Sequence, residues 1–319
     1  MADTAPYAST LPADAARVTE LAAMASYAQI GRGDEKAADQ LAVDAMRTAL
    51  NALDIDGKIV IGEGERDEAP MLYIGEKVGT GKGPVIDIAL DPLEGTTLTA
   101  KAMANALCVL SMSPGGGMLH APDTYMDKIA VGPGYPAGTV DLDNSPQDNV
   151  RNLAKAKGVP ASEITVCVMD RPRHAELIAA LREVGAKVVL ITDGDVAGVI
   201  HTAEPETGID MYLGSGGAPE GVLAASALKC VGGFFQGRLI FRNDDERERA
   251  RRTGVTDFDR KYDLHELVSK DAIFAATGVT KGAMLDGVHF RDGFVTTHTL
   301  VMDSSTRTVQ RIRTTRPVA

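Results

Sequence analysis

Apolar residues recur at helical spacing over the first fifty positions. Val18, Leu21, Ala22 and Ala25 form one stripe, and Leu41, Val43, Met46 and Leu50 form a second. Gly31-Arg32-Gly33-Asp34 interrupts the pattern, and Asp34 is suited to cap the second helix. Residues 58–61 then read as a short strand entering Gly62-Glu63-Gly64-Glu65, and 85–90 as a strand entering Asp91-Pro92-Leu93-Glu94-Gly95-Thr96-Thr97. Proline donates nothing to a central ladder, so a turn is expected at Pro92. Segments 107–112 and 128–131 read as further strands. The stretch 132–146, rich in Gly, Pro, Asp and Asn, is the expected boundary between an N-terminal domain at 1–145 and a C-terminal domain at 146–319.

Beyond that boundary the rhythm alternates. Segments 164–169, 187–191 and 209–213 read as strands, and 174–184, 195–200 and 219–228 as helices. Such alternation predicts βαβ units on a parallel sheet, with ligands gathering at the carboxyl ends of its strands. Those ends read Asp170-Arg171-Pro172-Arg173-His174, then Asp193-Gly194-Asp195, then Gly214-Ser215-Gly216-Gly217-Ala218-Pro219-Glu220. The mixed charges of 242–252 suit a solvated helix or loop, and 294–302 with 306–312 alternate like a hairpin around Asp303-Ser304-Ser305. The chain is thus expected to be α/β, with an α+β N-terminal part.

Composition narrows the function. Apolar residues make up 44% of the 319, enough to rule out wholesale disorder. Aromatics are 4%, with no Trp, and the net charge is −11, so neither a base-stacking platform nor a phosphate-backbone binder is expected. The N-terminus shows no basic segment followed by an apolar one, and no run of 18 apolar residues occurs, so no secretion signal or membrane span is expected. Cys108, Cys167 and Cys230 are widely spaced in apolar stretches and read as buried thiols of a cytoplasmic protein.

Acidic residues end apolar strands or open helices in five places: Asp34/Asp39, Glu63/Glu65/Asp67, Asp91/Glu94, Asp193/Asp195 and Glu220. Two carboxylates about 4 Å apart repel by roughly 1 kcal/mol in water and about 4 kcal/mol near a protein surface. Convergence of several would call for protonation or for cations, and oxygen-only ligands favour Mg²⁺ or Mn²⁺ over zinc. Each segment also has a plain structural reading. Glu63-Gly64-Glu65 suits an exposed turn, Asp91–Thr96 a helix cap, Asp193-Gly194-Asp195 a common turn, and Gly214–Glu220 a glycine-rich connection. Gly79-Thr80-Gly81-Lys82-Gly83 fails as a P-loop, because position 76 is Glu and Gly83 stands where Ser or Thr should hold magnesium. The six histidines form no metal-spaced pair, and His174 suits a helix start or a general base.

At Asp91-Pro92-Leu93-Glu94-Gly95-Thr96 the chain resembles the lithium-sensitive, metal-dependent sugar phosphatases. Gly31–Asp34, Gly62–Glu65, Ala69–Glu76, Tyr125, Pro172–His174, Asp193–Val196 and Gly216–Gly221, taken in order, resemble the class II fructose-1,6-bisphosphatases. That group includes bifunctional fructose/sedoheptulose bisphosphatases, and the resemblance runs from about Val18 to Arg313. It implies a layered αβαβα sandwich, with an N-terminal metal-binding domain and a C-terminal substrate-binding domain. It also implies metal ligands at Asp39, Glu63, Asp91, Glu94 and Glu220, and Mg²⁺ or Mn²⁺ as cofactor. Thr96 would orient the attacking water, with Asp67 close by. Substrate contacts would come from Glu94, Gly95, Thr96, Tyr125, Arg171, Pro172, Arg173, Asp193, Gly194, Asp195 and Gly217. The implied reaction removes the 1-phosphate of fructose 1,6-bisphosphate, in gluconeogenesis or the Calvin cycle, by a homo-oligomer (dimer or tetramer). Sedoheptulose 1,7-bisphosphate is a further possible substrate. An inositol-type monophosphatase and a non-catalytic anion- or metal-binding protein of the same fold are the alternatives. Two positions depart from the family pattern: Glu35 precedes Lys36 where relatives carry Lys directly after Gly-Arg-Gly-Asp, and Arg171 stands where some carry Lys.

Overall fold

The computed structural model describes residues 10–64 and 71–318. The chain opens with helices α1 (Leu11–Ser26) and α2 (Glu35–Asn51). Strands β1 (Asp56–Ile61), β2 (Lys77–Val78) and β3 (Val85–Glu94) follow, then a short helix α3 (Thr96–Ala100) and strand β4 (Leu107–Pro114). Next come β5 (Tyr125–Val131), α4 (Pro146–Lys157), β6 (Thr165–Met169), α5 (Ala175–Glu183), β7 (Lys187–Ile191) and α6 (Asp195–Ile200). After these lie β8 (Met211–Gly217), α7 (Ala218–Val231), β9 (Phe234–Ile240), α8 (Asp244–Arg252), β10 (Lys261–Asp263) and α9 (Leu264–Leu267). The chain ends with β11 (Ile273–Gly278), β12 (His289–Arg291), β13 (Phe294–Asp303) and β14 (Thr308–Pro317). Among the described residues, no helix is long and apolar enough to cross a membrane.

Two compact units result. The first takes residues 1–117 and 270–319, and the second takes 118–269. This differs from the expected division at 145/146. The Gly- and Pro-rich stretch at 132–146 is a connection inside the second unit, and the last four strands return to the first. The physical reason is pairing: β11 lies antiparallel to β4, with Thr277 opposite Cys108, and completes the first sheet from far along the chain.

That first sheet has eight strands in the order β12-β13-β11-β4-β3-β1-β2, with β14 paired to β13. Helix α1 lies on it through Ala15, Val18, Thr19, Ala22, Ala23 and Ser26, all buried at helical spacing. The Thr19 hydroxyl meets that of Thr277 at 2.8 Å, and Thr277 meets Thr299 at 2.8 Å, joining helix to sheet. Glu20 is buried and accepts hydrogen bonds from Thr314 and Arg316, which ties β14 back to α1. Asp34 caps α2, accepting from the Ala37 N–H at 2.9 Å, and the helix buries Ala38, Ala42, Val43, Met46 and Leu50. The expected turn at Pro92 does not occur. Strand β3 continues to Glu94, and its register against β4 shifts between Asp91 and Glu94, so the missing proline N–H falls at an irregularity.

The second sheet runs β10-β9-β5-β8-β6-β7. It is mixed rather than parallel: β6 pairs parallel to β7 and β8, whereas β5 pairs antiparallel to β8 and β9. Gly214–Gly217, read from sequence as a connection, forms the end of β8. Gly216 is required there, because a Cβ would stand 1.8 Å from Asp195 Oδ2. The 242–252 charge run forms α8, with Glu246 and Ala250 buried. All three cysteines are buried and free, as expected.

His201 follows α6 and is 7% exposed; burial pushes its pKa from 6.5 down to about 4. The unfolded chain therefore binds this proton more tightly than the folded one. Stability is unaffected above pH 6.5 and falls as pH drops toward 4, by up to about 3 kcal/mol. Thermal melts between pH 4 and 8 should show His201→Gln losing less stability on acidification than wild type. Parallel curves for the two proteins would refute this.

Candidate active site

In the first unit, four of the expected metal ligands sit on three elements. Asp39 lies one turn into α2, Glu63 comes two residues after the end of β1, and Asp91 and Glu94 occupy the irregular end of β3. Glu63 is placed by its N–H, which bonds the Leu72 carbonyl at 3.1 Å. The Asp91 carboxylate accepts from the Leu93 N–H at 3.0 Å, stiffening the strand end. Glu94 is buried. Gly95 then takes φ +91°, a left-handed conformation, and lets Thr96 open α3 directly after the strand.

The electrostatics show that these carboxylates crowd one another. Burial, then the negative Asp91, raises the Asp39 pKa to about 6. Burial, then Asp39 and Asp91, raises Glu63 to about 8. Cys108 on β4 is pushed well above its usual range by burial first and by Asp91 next. Among the described residues, no Lys or Arg forms an ion pair with Asp39 or Glu63. Nor are three potential ligands among them drawn together at coordinating distance. The donor set, all carboxylate oxygen on rigid element ends, fits a hard divalent cation. Asp67, expected beside Thr96, falls in 65–70, outside the described residues.

In the second unit, Tyr125 begins β5, Arg171–His174 follow β6, Asp193–Asp195 follow β7, and Gly217 and Glu220 open α7. Gly217 makes room for Glu220, since a Cβ there would stand 1.9 Å from Oε2. His174 is structural. The Ser215 N–H donates to its Nε2 at 2.9 Å, so Nδ1 carries the proton and faces the Met169 carbonyl at 2.7 Å. Burial, opposed by that carbonyl and reinforced by the Arg173 charge, lowers its pKa and keeps it neutral. Arg173 donates to the Ser215 hydroxyl at 3.0 Å and carbonyl at 2.7 Å, and its guanidinium lies 4.9 Å from the Tyr125 ring centroid.

The side chain of Asp195, expected among the substrate contacts, is 6% exposed and accepts from Lys128 Nζ at 2.5 Å. Lys128 is itself 1% exposed. This pair fixes the Asp193–Asp195 turn and leaves Asp193, half-buried, as its more accessible carboxylate. Lys128 gives little signal in the sequence, standing beside Asp127 in the Tyr125–Val131 strand.

An α/β chain with metal-suited carboxylates near strand ends and an arginine beside a tyrosine has the makings of a metal-dependent phosphatase. Residues 9–316 match the family described as "Bacterial fructose-1,6-bisphosphatase, glpX-encoded", and the chain belongs to that family. It is 48% identical over 310 residues to "Fructose-1,6-bisphosphatase 1 class 2" of Escherichia coli (strain K12), covering 93% of this chain and 92% of that one. It is 45% identical over 322 residues to "D-fructose 1,6-bisphosphatase class 2/sedoheptulose 1,7-bisphosphatase" of Synechococcus sp. (strain JA-3-3Ab), with the same coverages of 93% and 92%. Among solved structures, the inositol monophosphatase of Anabaena (Nostoc) sp. PCC 7120 aligns with a TM-score of 0.31 at 12% identity, over 61% of this chain and 70% of that one. A likeness so remote carries no functional weight.

Proposed function

We propose that the chain hydrolyses the 1-phosphate of fructose 1,6-bisphosphate to fructose 6-phosphate and phosphate, with Mg²⁺ or Mn²⁺, in gluconeogenesis or the Calvin cycle of the cytoplasm. The observation that carries this reading is the match of residues 9–316 to the family, together with 48% identity to the Escherichia coli relative; Asp39, Glu63 and Asp91, whose charges oppose one another, supply the acidic groups. With Glu94 and Glu220 they are the residues that hold the cations. When bound, the cations supply the Lewis-acid charge that stabilises the phosphoryl group and the departing sugar oxygen. The Thr96 hydroxyl orients the attacking water, and Asp67 belongs to the same hydrogen-bonded group. The backbone of Glu94–Thr96 offers N–H groups to phosphate oxygens. Arg171 and Arg173 hold the remaining phosphate by charge-assisted bonds, with Pro172 fixing the backbone between them. Asp193 accepts from sugar hydroxyls, while Gly194, Gly217 and the backbone of Asp195 shape the pocket wall.

Sedoheptulose 1,7-bisphosphate is a second substrate on this reading, supported by the name of the Synechococcus relative. A homo-oligomer, dimer or tetramer, is part of the proposal, and edge strand β7 exposes Val189 and Leu190 as a surface for it.

The test is phosphate release from fructose 1,6-bisphosphate, sedoheptulose 1,7-bisphosphate and inositol 1-phosphate with Mg²⁺, Mn²⁺ or EDTA. Metal-dependent release from neither bisphosphate would sink the reading, and release from inositol 1-phosphate alone would replace it. Thr96→Ala should lower kcat by roughly a hundredfold, as for loss of a proton-transfer or orienting group, with KM little changed. Near-normal turnover would remove Thr96 from the mechanism.

A further inference from the structure

A second arginine, which no expected site residue includes, shares the Tyr125 ring with Arg173. The Arg242 guanidinium also lies 4.9 Å from that ring's centroid. The two guanidinium carbons are therefore at most about 10 Å apart, and both border the space around one tyrosine ring. Each arginine is held by one edge. Arg173 uses Nε and Nη2 on Ser215, which is uncharged and leaves its positive charge unbalanced. Arg242 uses Nε and Nη2 on Glu246 Oε1 at 2.6 and 2.5 Å. Glu246 is 2% exposed and is fixed in turn by the Arg242 N–H at 2.7 Å and the Thr124 hydroxyl at 3.2 Å. In both arginines Nη1 has no protein partner among the described residues. Two fixed, half-exposed guanidiniums thus share one tyrosine, with Glu246 paired to Arg242 alone and Asp123 the further carboxylate acting on it.

We propose that Arg242 binds the phosphate of the substrate that is not cleaved, together with Arg173, and that buried Glu246 is the positioning residue that aims it. This rests on the bisphosphatase reading above and adds to it a determinant of selection for bisphosphates over monophosphates.

The test compares wild type, Arg242→Ala, Arg242→Lys and Glu246→Gln on fructose 1,6-bisphosphate and on fructose 1-phosphate, which lacks the second phosphate. Arg242→Ala should lower the ratio of kcat/KM for the bisphosphate over the monophosphate by roughly ten- to a hundredfold, the worth of a charge-assisted hydrogen bond. The fall should come through KM. Arg242→Lys should recover part of it, and Glu246→Gln should fall between. A ratio within twofold of wild type in Arg242→Ala and Arg242→Lys, or equal losses on both substrates, would overturn the proposal. Calorimetric titration with fructose 6-phosphate gives a readout independent of turnover. Arg242→Ala should weaken that binding at least tenfold, and unchanged binding overturns the proposal even if the wild type releases no phosphate. Absence of wild-type turnover with this binding effect intact would instead retire the bisphosphatase reading alone.

Discussion

Glu63→Gln is expected to make the metal-free protein melt higher than wild type while reducing phosphate release at least a hundredfold. Burial and two neighbouring carboxylates raise the Glu63 pKa to about 8, so at neutral pH the metal-free folded chain takes up a proton that the unfolded chain does not hold. An amide is neutral without that proton, so the variant avoids the cost of taking it up. The amide is also a poorer ligand for a hard cation. Melts in EDTA should therefore rank the variant above wild type. Titration with Mn²⁺ or Mg²⁺ should reverse that order, because a ligand that binds only the folded state raises its stability by RT ln(1 + L/Kd), where L is the free ligand concentration. If wild type gains nothing from either metal, or Glu63→Gln melts lower than wild type in EDTA, these carboxylates are not a cation site.

The second large effect belongs to the buried pair. Lys128→Met strands Asp195, a carboxylate 6% exposed, without its ammonium partner. Breaking a buried ion pair from one side costs about 3–5 kcal/mol, a large part of the stability of a typical domain. Denaturant unfolding should show that loss, and Lys128→Met combined with Asp195→Leu should regain much of it. Gly216→Ala should mimic the single variant, because its methyl group would stand 1.8 Å from Asp195 Oδ2. A loss under 1 kcal/mol in Lys128→Met would mean that Asp195 is solvated and free to serve substrate directly.

What could be read from the chain alone follows from where each signal lies. The Asp34 cap, the paired helices and the hairpin at Asp303 are local, and periodicity or capping chemistry declares them within a few residues. Asp91 and Glu94 draw the eye because acids end a strongly apolar strand, and the strand is where the sequence puts it. Pro92 misled, because a strand can absorb a proline at a register shift, and only the partner strand reveals one. Lys128 was invisible because its partner lies 67 positions away. Arg242 was hidden in a run whose mixed charges suggest solvent, although Glu246 four residues on is buried and turns that run toward Tyr125. The unit boundary was misplaced for the same reason. A Gly- and Pro-rich stretch announces a connection, but which sheet receives the next strand is decided by pairings such as β4 with β11.

Those pairings impose an order on synthesis. The second unit is one continuous stretch, 118–269, and is whole once that stretch has left the ribosome. The first unit cannot close its sheet then, because β11, β13 and β14 are still to be made. Throughout that interval one edge of β4 has no strand to pair with, and the face of α1 around Thr19 and Glu20 lacks Thr277, Thr314 and Arg316. An unpaired apolar edge invites association with other chains. The nascent protein is therefore most exposed to aggregation late in translation, when its second unit is already folded.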